Sequence, residues 1–462
     1  MIRLFNQYFS KRKILFFAGE CGFIILAVIL TLFIQGNSAN YLYHPFLLTV
    51  KIVTVIIVYQ VSLFFSDFYS TGLSWGYRKL IYRLITSLII AFLLLTFFHS
   101  FINSTLFEKQ TLIIIFLLLL SFLLPWRLYY SWSIKKGNHK QRTLILGAGK
   151  LAKDIGRAII KDQELSLRLE GFVAIDPQLK GVSIVNPTVV GTMDELPAII
   201  RERNINKIIV AMEERRGTVP LDKLLQYKSE GISIEDGVNF YERITNQLLV
   251  EYINPSYLIF CDGFKLSYTS MFLKRVCDIA FSFIGLIIAS PLLVILGLLI
   301  KLESPGPVVY KQKRVGRSEK TFNIYKLRSM QHDAEKQTGP IMTSGNDGRI
   351  TRIGKIIRKT RLDELPQLWN VFTGCMSFVG PRPERPVFVE KFKKHIPFYT
   401  QRFSLRPGIT GWAQIRYPYA STIEQTLDKL RYELYYMKNF SLLFDLTIIL
   451  RTIKVVLFAK GS

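Results

Sequence analysis

Four apolar runs, at 14–34, 45–66, 80–98 and 111–130, occupy the first third of this 462-residue chain. Each is close to the ~20 residues that a helix needs to cross a bilayer. Their flanks set an orientation. Arg3, Lys11, Arg12 and Lys13 precede the first run, Arg78, Lys79 and Arg83 surround the second-to-third connection, and Lys135, Lys136, Lys140 and Arg142 follow the fourth. The connection 35–44 carries no Lys or Arg, and 101–110 carries only Lys109. Basic residues are retained on the cytoplasmic side, so both ends of this block are expected there. No small-residue cleavage site follows the first run, which is therefore read as an anchor and not as a removed signal peptide.

A fifth run, 279–300, has Lys274 and Arg275 before it and Lys301, Lys311, Lys313, Arg314 and Arg317 after it. A full crossing would carry the basic C-terminal part to the outside, against that charge bias. Ser290-Pro291 lies mid-run, where the proline removes a donor and disfavours helical geometry at the residue before it. The expectation is a broken helix that dips into one leaflet and returns to the cytoplasmic side, with Ser290 or neighbouring protein satisfying the freed backbone groups. An ordinary fifth span with a kink is the alternative. Near the C-terminus, Leu442, Leu446, Ile449, Leu450, Ile453 and Leu457 share one helical face, with Asp445, Arg451 and Lys454 off it. That stripe suits a helix lying at the interface or one facing a core.

Half of the residues are hydrophobic, and 60 Lys and Arg against 34 Asp and Glu leave a net charge of +26. Such a surplus suits anionic partners: phosphorylated ligands, acidic headgroups or nucleic acid. About half of it is assigned to membrane orientation. Nucleic acid is disfavoured because the basic residues cluster beside apolar segments. Cys21, Cys261, Cys277 and Cys375 show no metal or CxxC spacing and read as reduced thiols.

Residues 141–264 have soluble character and alternate strands with helices. Strands are predicted at 142–146, 171–174, 207–212 and 232–235, with helices at 194–203 and 221–229, a doubly wound α/β pattern. Gly147-Ala148-Gly149-Lys150-Leu151-Ala152 sits where a dinucleotide fingerprint would open a helix. Asp176, however, is offset for a ribose contact and precedes Pro177. Tight strand–helix packing accounts for the glycines equally well, so a regulatory or assembly module is favoured.

Phosphate-friendly residues concentrate after Met271. Lys326 and Arg328 lie in Lys326-Leu327-Arg328-Ser329-Met330; Arg358, Lys359 and Arg361 precede Asp363-Glu364; and Arg382 and Arg406 each stand beside a proline. Phosphoryl transfer needs cations on the transferring oxygens, a carboxylate for a divalent metal and an aligned nucleophile. Asp363 fits the nucleophile, on the expectation that its cationic shell lowers its pKa. Glu364 suits orienting it, binding metal or acting as a base. Pro366, Pro381, Pro383 and Pro407 would stiffen the connections. A salt-bridged Asp-Glu pair at a helix start is the plainer alternative.

From Met271 to Ser462 the chain resembles the monotopic polyprenyl-phosphate hexose-1-phosphate transferases, or bacterial sugar transferases. The motifs are Lys274-Arg275-Val276-Cys277-Asp278, the Ser290-Pro291 step, Ser304-Pro305-Gly306-Pro307, Lys326-Leu327-Arg328-Ser329-Met330, Leu362-Asp363-Glu364-Leu365-Pro366-Gln367, Val379-Gly380-Pro381-Arg382-Pro383 and Arg406-Pro407-Gly408-Ile409-Thr410-Gly411-Trp412-Ala413-Gln414. The architecture is similar to the large form of the family. It comprises a four-helix transmembrane domain at 1–138, a Rossmann-like α/β module at 139–265 and a mainly α catalytic domain with a re-entrant membrane helix at 266–462. The ending, including Arg416-Tyr417-Pro418-Tyr419, resembles the exopolysaccharide subgroup.

The resemblance implies that Asp363 attacks the sugar-bearing phosphorus of a UDP-hexose with Mg²⁺ close by, held by Asp363. UMP leaves, and undecaprenyl phosphate then takes the phospho-sugar. Glu364 completes the dyad, and Arg358 and Arg382 match phosphate-binding arginines. Lys326, Arg328, Arg361 and Arg406 are further candidate substrate contacts. The resemblance also implies a multi-pass protein of the bacterial inner membrane, a catalytic domain on the cytoplasmic face and a homodimer. Arg416 departs from the pattern, in which many members read Gln-Val-Asn-Gly-Arg. Two other functions compete. A membrane-anchored nucleotide-sugar dehydratase or epimerase needs Tyr-x-x-x-Lys, and no tyrosine here has a lysine four places on. A non-enzymatic assembly scaffold is the other.

Overall fold

The computed structural model of the chain describes residues 2–4, 7–9, 11–36, 45–69, 76–102, 109–136, 140–162, 165–212, 220–253, 258, 260–261, 263–331, 348–417 and 422–457. The connections 37–44 and 103–108, which carry part of the orientation argument, lie outside the described residues, as do Pro418 and Tyr419. Two compact units divide at Phe240/Tyr241.

In the first unit the four N-terminal runs form helices α1 (Lys11–Ile34), α2 (Pro45–Phe65), α3 (Tyr77–Ile102) and α4 (Lys109–Lys136). All four are long and apolar enough to cross a membrane. Their mutual contacts bury Ile24, Val28, Val55, Tyr59, Leu63, Leu84, Leu88, Ile115 and Leu119, while Phe33, Ile57, Leu93 and Leu117 point outward. An apolar exterior around an apolar interior is what a bundle solvated by lipid requires.

A polar cluster interrupts this interior. Glu20 of α1 and Arg127 of α4 form an ion pair, with the two side chains 0% and 2% exposed. The Arg127 guanidinium also lies over the rings of Phe68 (4.7 Å), Tyr69 (5.5 Å) and Phe16 (5.8 Å). The Tyr69 hydroxyl is hydrogen-bonded with Glu20 and with Gln60 of α2.

The α/β module is a parallel sheet of β1 (Gln141–Leu146), β2 (Leu167–Ala174), β3 (Val189–Thr192), β4 (Lys207–Val210) and β5 (Ser233–Asp236), in the order β3-β2-β1-β4-β5. The alternating pattern is met, with β3 as an additional edge strand. Gly147 takes φ +126°, and a Cβ there would lie 2.5 Å from the Ala211 carbonyl, so packing at the strand ends alone demands glycine. Asp176 accepts a hydrogen bond from the Gln178 amide, which caps its own turn.

The second unit includes residues that the sequence assigned to the α/β module. The Leu248 amide donates to the Arg431 carbonyl (3.0 Å), and Lys438 pairs with Glu242 (2.8 Å). The segment after β5 thus packs on the helix Ile423–Lys438. The unit is mainly helical; among the described residues Val309–Val315 pairs antiparallel with Thr321–Leu327, and Ser377–Val379 pairs parallel with Gly408–Thr410. Its core gathers Phe392, Tyr399, Phe403, Trp412, Leu434, Tyr435, Tyr436, Phe444 and Ile448.

The fifth apolar run lies in a helix of 36 residues, Tyr268–Glu303, that continues through Pro291. Helical geometry thus persists through Ser290-Pro291, so the step is a proline within one helix and not a gap between two. A proline deprives only the carbonyl four residues back of its donor, and here Ser290 Oγ donates to that carbonyl, Ile287, at 2.8 Å. Both ends of this helix are held by the same unit. Near its start Lys274 pairs with Asp445 (2.6 Å), and Asp278 accepts from Ser377 Oγ and the Phe378 amide (3.1 Å each). Near its end Leu296 and Ile300 pack with Leu327 and Ile357. Phe281, Ile284, Ile288, Val294, Leu298 and Leu302 remain exposed along the other face.

The C-terminal helix Leu442–Leu457 presents Phe444, Asp445 and Ile448 to the core and exposes Leu443, Leu446, Ile453 and Val456. Asp445 is thus buried, against the expectation that it sits off the packed face, because Lys274 and the Tyr436 hydroxyl (2.7 Å) partner it.

Candidate active site

The site begins at the helix Arg352–Lys359. Thr351 Oγ1 accepts from the Gly354 amide (2.9 Å), and the Glu303 carboxylate accepts from the amides of Arg352 (2.6 Å) and Ile353 (3.1 Å). These satisfy donors that a helix start leaves open. The helix ends at Arg361, whose φ of +57° reverses the chain into one 3-10 turn, Leu362–Glu364. That turn carries both carboxylates. Pro366 then leads into the helix Gln367–Thr373, which stops at Gly374 with φ +91°. Arg275 donates to the last-turn carbonyls of Val371 (2.6 Å) and Phe372 (2.7 Å), where a cation meets the negative helix end.

Lys326 comes from the strand Thr321–Leu327, which is fastened to this helix by Asn370. The Asn370 amide accepts from the Tyr325 amide (3.1 Å) and donates to the Asn323 carbonyl (2.8 Å). Lys326 Nζ stands 3.2 Å from Glu364 Oε1 and 3.7 Å from Asp363 Oδ2. Arg382 Nη2 lies 3.3 Å from the same Glu364 oxygen. Sequence reasoning missed Asn370 as a fastener, although it falls within the string that carries the dyad.

The two carboxylates occupy different environments. Burial pushes Glu364 up, but Lys326 and Arg382 outweigh it and hold its carboxyl at about 2. Asp363 is shifted the other way: burial raises it, neighbouring Glu364 adds to the rise, and Lys326, Arg358 and Arg382 only partly offset both. The expectation that the cationic shell lowers Asp363 is corrected, since burial outweighs that shell and Glu364 adds to the rise. Adjacent acids pushed apart in this way can hold separate chemical roles.

Of the proposed substrate contacts, Lys326 and Arg382 meet the dyad directly. The charges of Arg358 and Arg361 act on Asp363 and Glu364 respectively. Arg328 does not join them. It is 6% exposed and donates to the carbonyls of Ser304 (2.6 Å), Pro305 (2.6 Å) and Ile300 (3.2 Å). It therefore seals the C-terminal end of the long helix. Arg328→Met should cost about 3 kcal/mol of stability, since several charged hydrogen bonds are lost; thermal unfolding of both proteins checks this. Burial and the charges of Arg275 and Arg317 pull Arg406 below its ordinary value, against the opposing charge of Asp278. Arg416 lies over the Trp412 ring at 4.5 Å.

Behind Arg382, Glu384 pairs with Lys429 at 2.7 Å. Burial raises Glu384, but Lys429, Arg402 and Arg314 prevail and hold it at about 2, below its ordinary 4.5. A depressed carboxyl stabilises the fold above its unfolded value, and that stabilisation fades as pH falls toward the folded one. Glu384→Gln should therefore flatten the loss of stability between about pH 4.5 and 2, read from acid unfolding curves of both proteins.

Among the described residues no cluster of three or more His, Cys, Asp or Glu is assembled for a metal. Two adjacent carboxylates nevertheless suit Mg²⁺, which takes one or two protein carboxylates and completes its shell with water and substrate phosphates.

Known proteins place these residues in context. The sequence model of the family described as bacterial sugar transferase matches residues 269–459, and that described as CoA-binding domain matches 64–227. The chain is 48% identical over 191 residues to the UDP-N-acetylgalactosamine-undecaprenyl-phosphate N-acetylgalactosaminephosphotransferase of Aeromonas hydrophila, covering 41% of this chain and 45% of that one. It is 44% identical over 186 residues to the exopolysaccharide production protein PSS of Rhizobium leguminosarum, covering 39% and 93% respectively. It is 39% identical over 190 residues to the UDP-glucose:undecaprenyl-phosphate glucose-1-phosphate transferase of Escherichia coli, covering 41% of each. The chain thus spans less than half the length of the Aeromonas and Escherichia relatives.

Proposed function

The chain belongs to the bacterial sugar transferase family, and on that premise we propose that it moves a sugar 1-phosphate from a UDP-sugar to undecaprenyl phosphate. The reading has two displacements. An Asp363 carboxylate oxygen attacks the sugar-bearing phosphorus, the bond from that phosphorus to the UMP oxygen breaks, and UMP departs. A phosphate oxygen of undecaprenyl phosphate then attacks the same phosphorus and frees Asp363, leaving the sugar on a lipid pyrophosphate. Mg²⁺, held by Asp363, would neutralise charge on the pyrophosphate oxygens when bound. Glu364 stays ionised and fixes Lys326 and Arg382, which face the transferring oxygens.

The observation that carries this reading is the split environment of two adjacent carboxylates. One is tied to Lys326 and Arg382, and the other has Lys326 no nearer than 3.7 Å. Purified protein with Mg²⁺, undecaprenyl phosphate and a panel of donors tests it. UDP-N-acetylgalactosamine and UDP-glucose, the sugars named for the relatives, head that panel. UMP release with at least one donor supports the reading, and none with any donor overturns it.

The chain is a membrane protein, and we place its catalytic unit on the cytoplasmic face of the inner membrane. The long helix would bend at Pro291 and so enter and leave by that face. What favours this is that one compact unit grips both Asp278 and Ile300 while the intervening outward face is apolar. A crossing helix would split that unit between two compartments. Lys355→Cys in a cysteine-free background should stay unlabelled by an impermeant reagent added from the periplasm; labelling would overturn the placement.

A further inference from the structure

Pro381-Arg382-Pro383 presents the arginine that meets Glu364, and two of its three residues lack a backbone donor. Its carbonyls are therefore its main backbone handles, and all three are held. The Gly408 amide donates to the Pro381 carbonyl (2.9 Å), and Arg314 Nη1 donates to that of Pro383 (3.0 Å). The middle carbonyl, that of Arg382 itself, accepts from Arg402 Nη2 at 2.8 Å.

Arg402 is unlike the other two anchors. It is 3% exposed, and the same Nη2 donates to Glu433 Oε1 (2.8 Å) while Nη1 donates to the Tyr399 hydroxyl (2.5 Å). Its guanidinium also lies over the Tyr399 ring at 4.9 Å. A planar, multiply bonded guanidinium has little freedom, so it fixes the carbonyl it touches. We propose that Arg402 is a positioning residue for the transfer reaction, holding the Arg382 backbone so that the Arg382 side chain reaches Glu364. This rests on the function proposed above. A purely structural reading would make Arg402 and Glu433 only a buried ion pair of the core.

The two readings separate in a paired experiment. Arg402→Met combined with Glu433→Met removes the pair without stranding a buried charge, which cores tolerate. UMP release by this variant should fall by about 10²-fold in kcat/KM, mostly through kcat, because misplacement of about 1 Å has that effect. In an Arg382→Ala background the same double change should alter the rate by less than about threefold, since nothing remains to position. Wild-type rates in the double variant, or equal losses in both backgrounds, would overturn the inference. Arg402→Lys serves if the double variant does not fold, because one ammonium does not reproduce the planar fork. It should show a smaller loss with the same dependence on Arg382, and full activity would overturn the inference. A wild-type protein that releases no UMP from any donor overturns the functional reading instead, and this inference with it.

Discussion

Asp363→Asn should abolish UMP release, with a loss on the order of 10⁴-fold or more, as expected when a nucleophile is removed. The amide keeps the shape of the side chain but offers a far poorer nucleophile and no charge for a metal. Stability should hold, because Asp363 faces Lys326 at 3.7 Å and is raised by burial. Removing a partly desolvated charge relieves strain at such a site. Glu364→Gln should behave differently, since it releases Lys326 and Arg382 together and loses both activity and local order. Donor titrations beside thermal unfolding check both variants. Turnover by Asp363→Asn within about tenfold of wild type would place the chemistry elsewhere.

Glu20→Ala should destabilise the N-terminal bundle by about 3–5 kcal/mol, the usual cost of stranding one member of a buried ion pair. Arg127 would then keep only its aromatic neighbours inside an apolar bundle. Replacing both, Glu20→Leu with Arg127→Leu, should recover most of the loss, because neither charge is then left unpaired. Denaturant or SDS titration of the purified protein in detergent reads the difference. Single variants as stable as the double would show that the pair carries no coupling.

The contrast between these two sites shows what the sequence could reveal. The apolar runs and the Asp363-Glu364 string were legible because each signal is local: one is a run of about a helix's span, the other an unbroken motif. The partner of Glu20 was not, because a charge within an apolar run does not say which distant helix answers it. Arg328 looked like a phosphate ligand for a related reason. A guanidinium suits the carbonyl end of a helix as well as it suits phosphate, and only the fold shows which oxygens lie in front of it. Asp445 falls off the apolar stripe in the sequence, and its burial rests on Lys274 from far along the chain. The strand Val189–Thr192 is four residues long, contains Gly191 and follows Pro187, so its text resembles a turn. At Pro291 helical geometry persists, with the Ser290 hydroxyl on the carbonyl that the proline leaves without a donor.

Glu303 deserves a last consequence. Its carboxylate, at the end of the long apolar helix, clasps the first amides of the helix that carries Arg358. The seating of a helix that does not cross depends on the composition of the leaflet it enters. Through that clasp, lipid composition becomes a variable that reaches Arg358, whose charge acts on Asp363. The enzyme's rate in vesicles of graded lipid composition would then follow the mechanics of its solvent as well as the supply of its substrates.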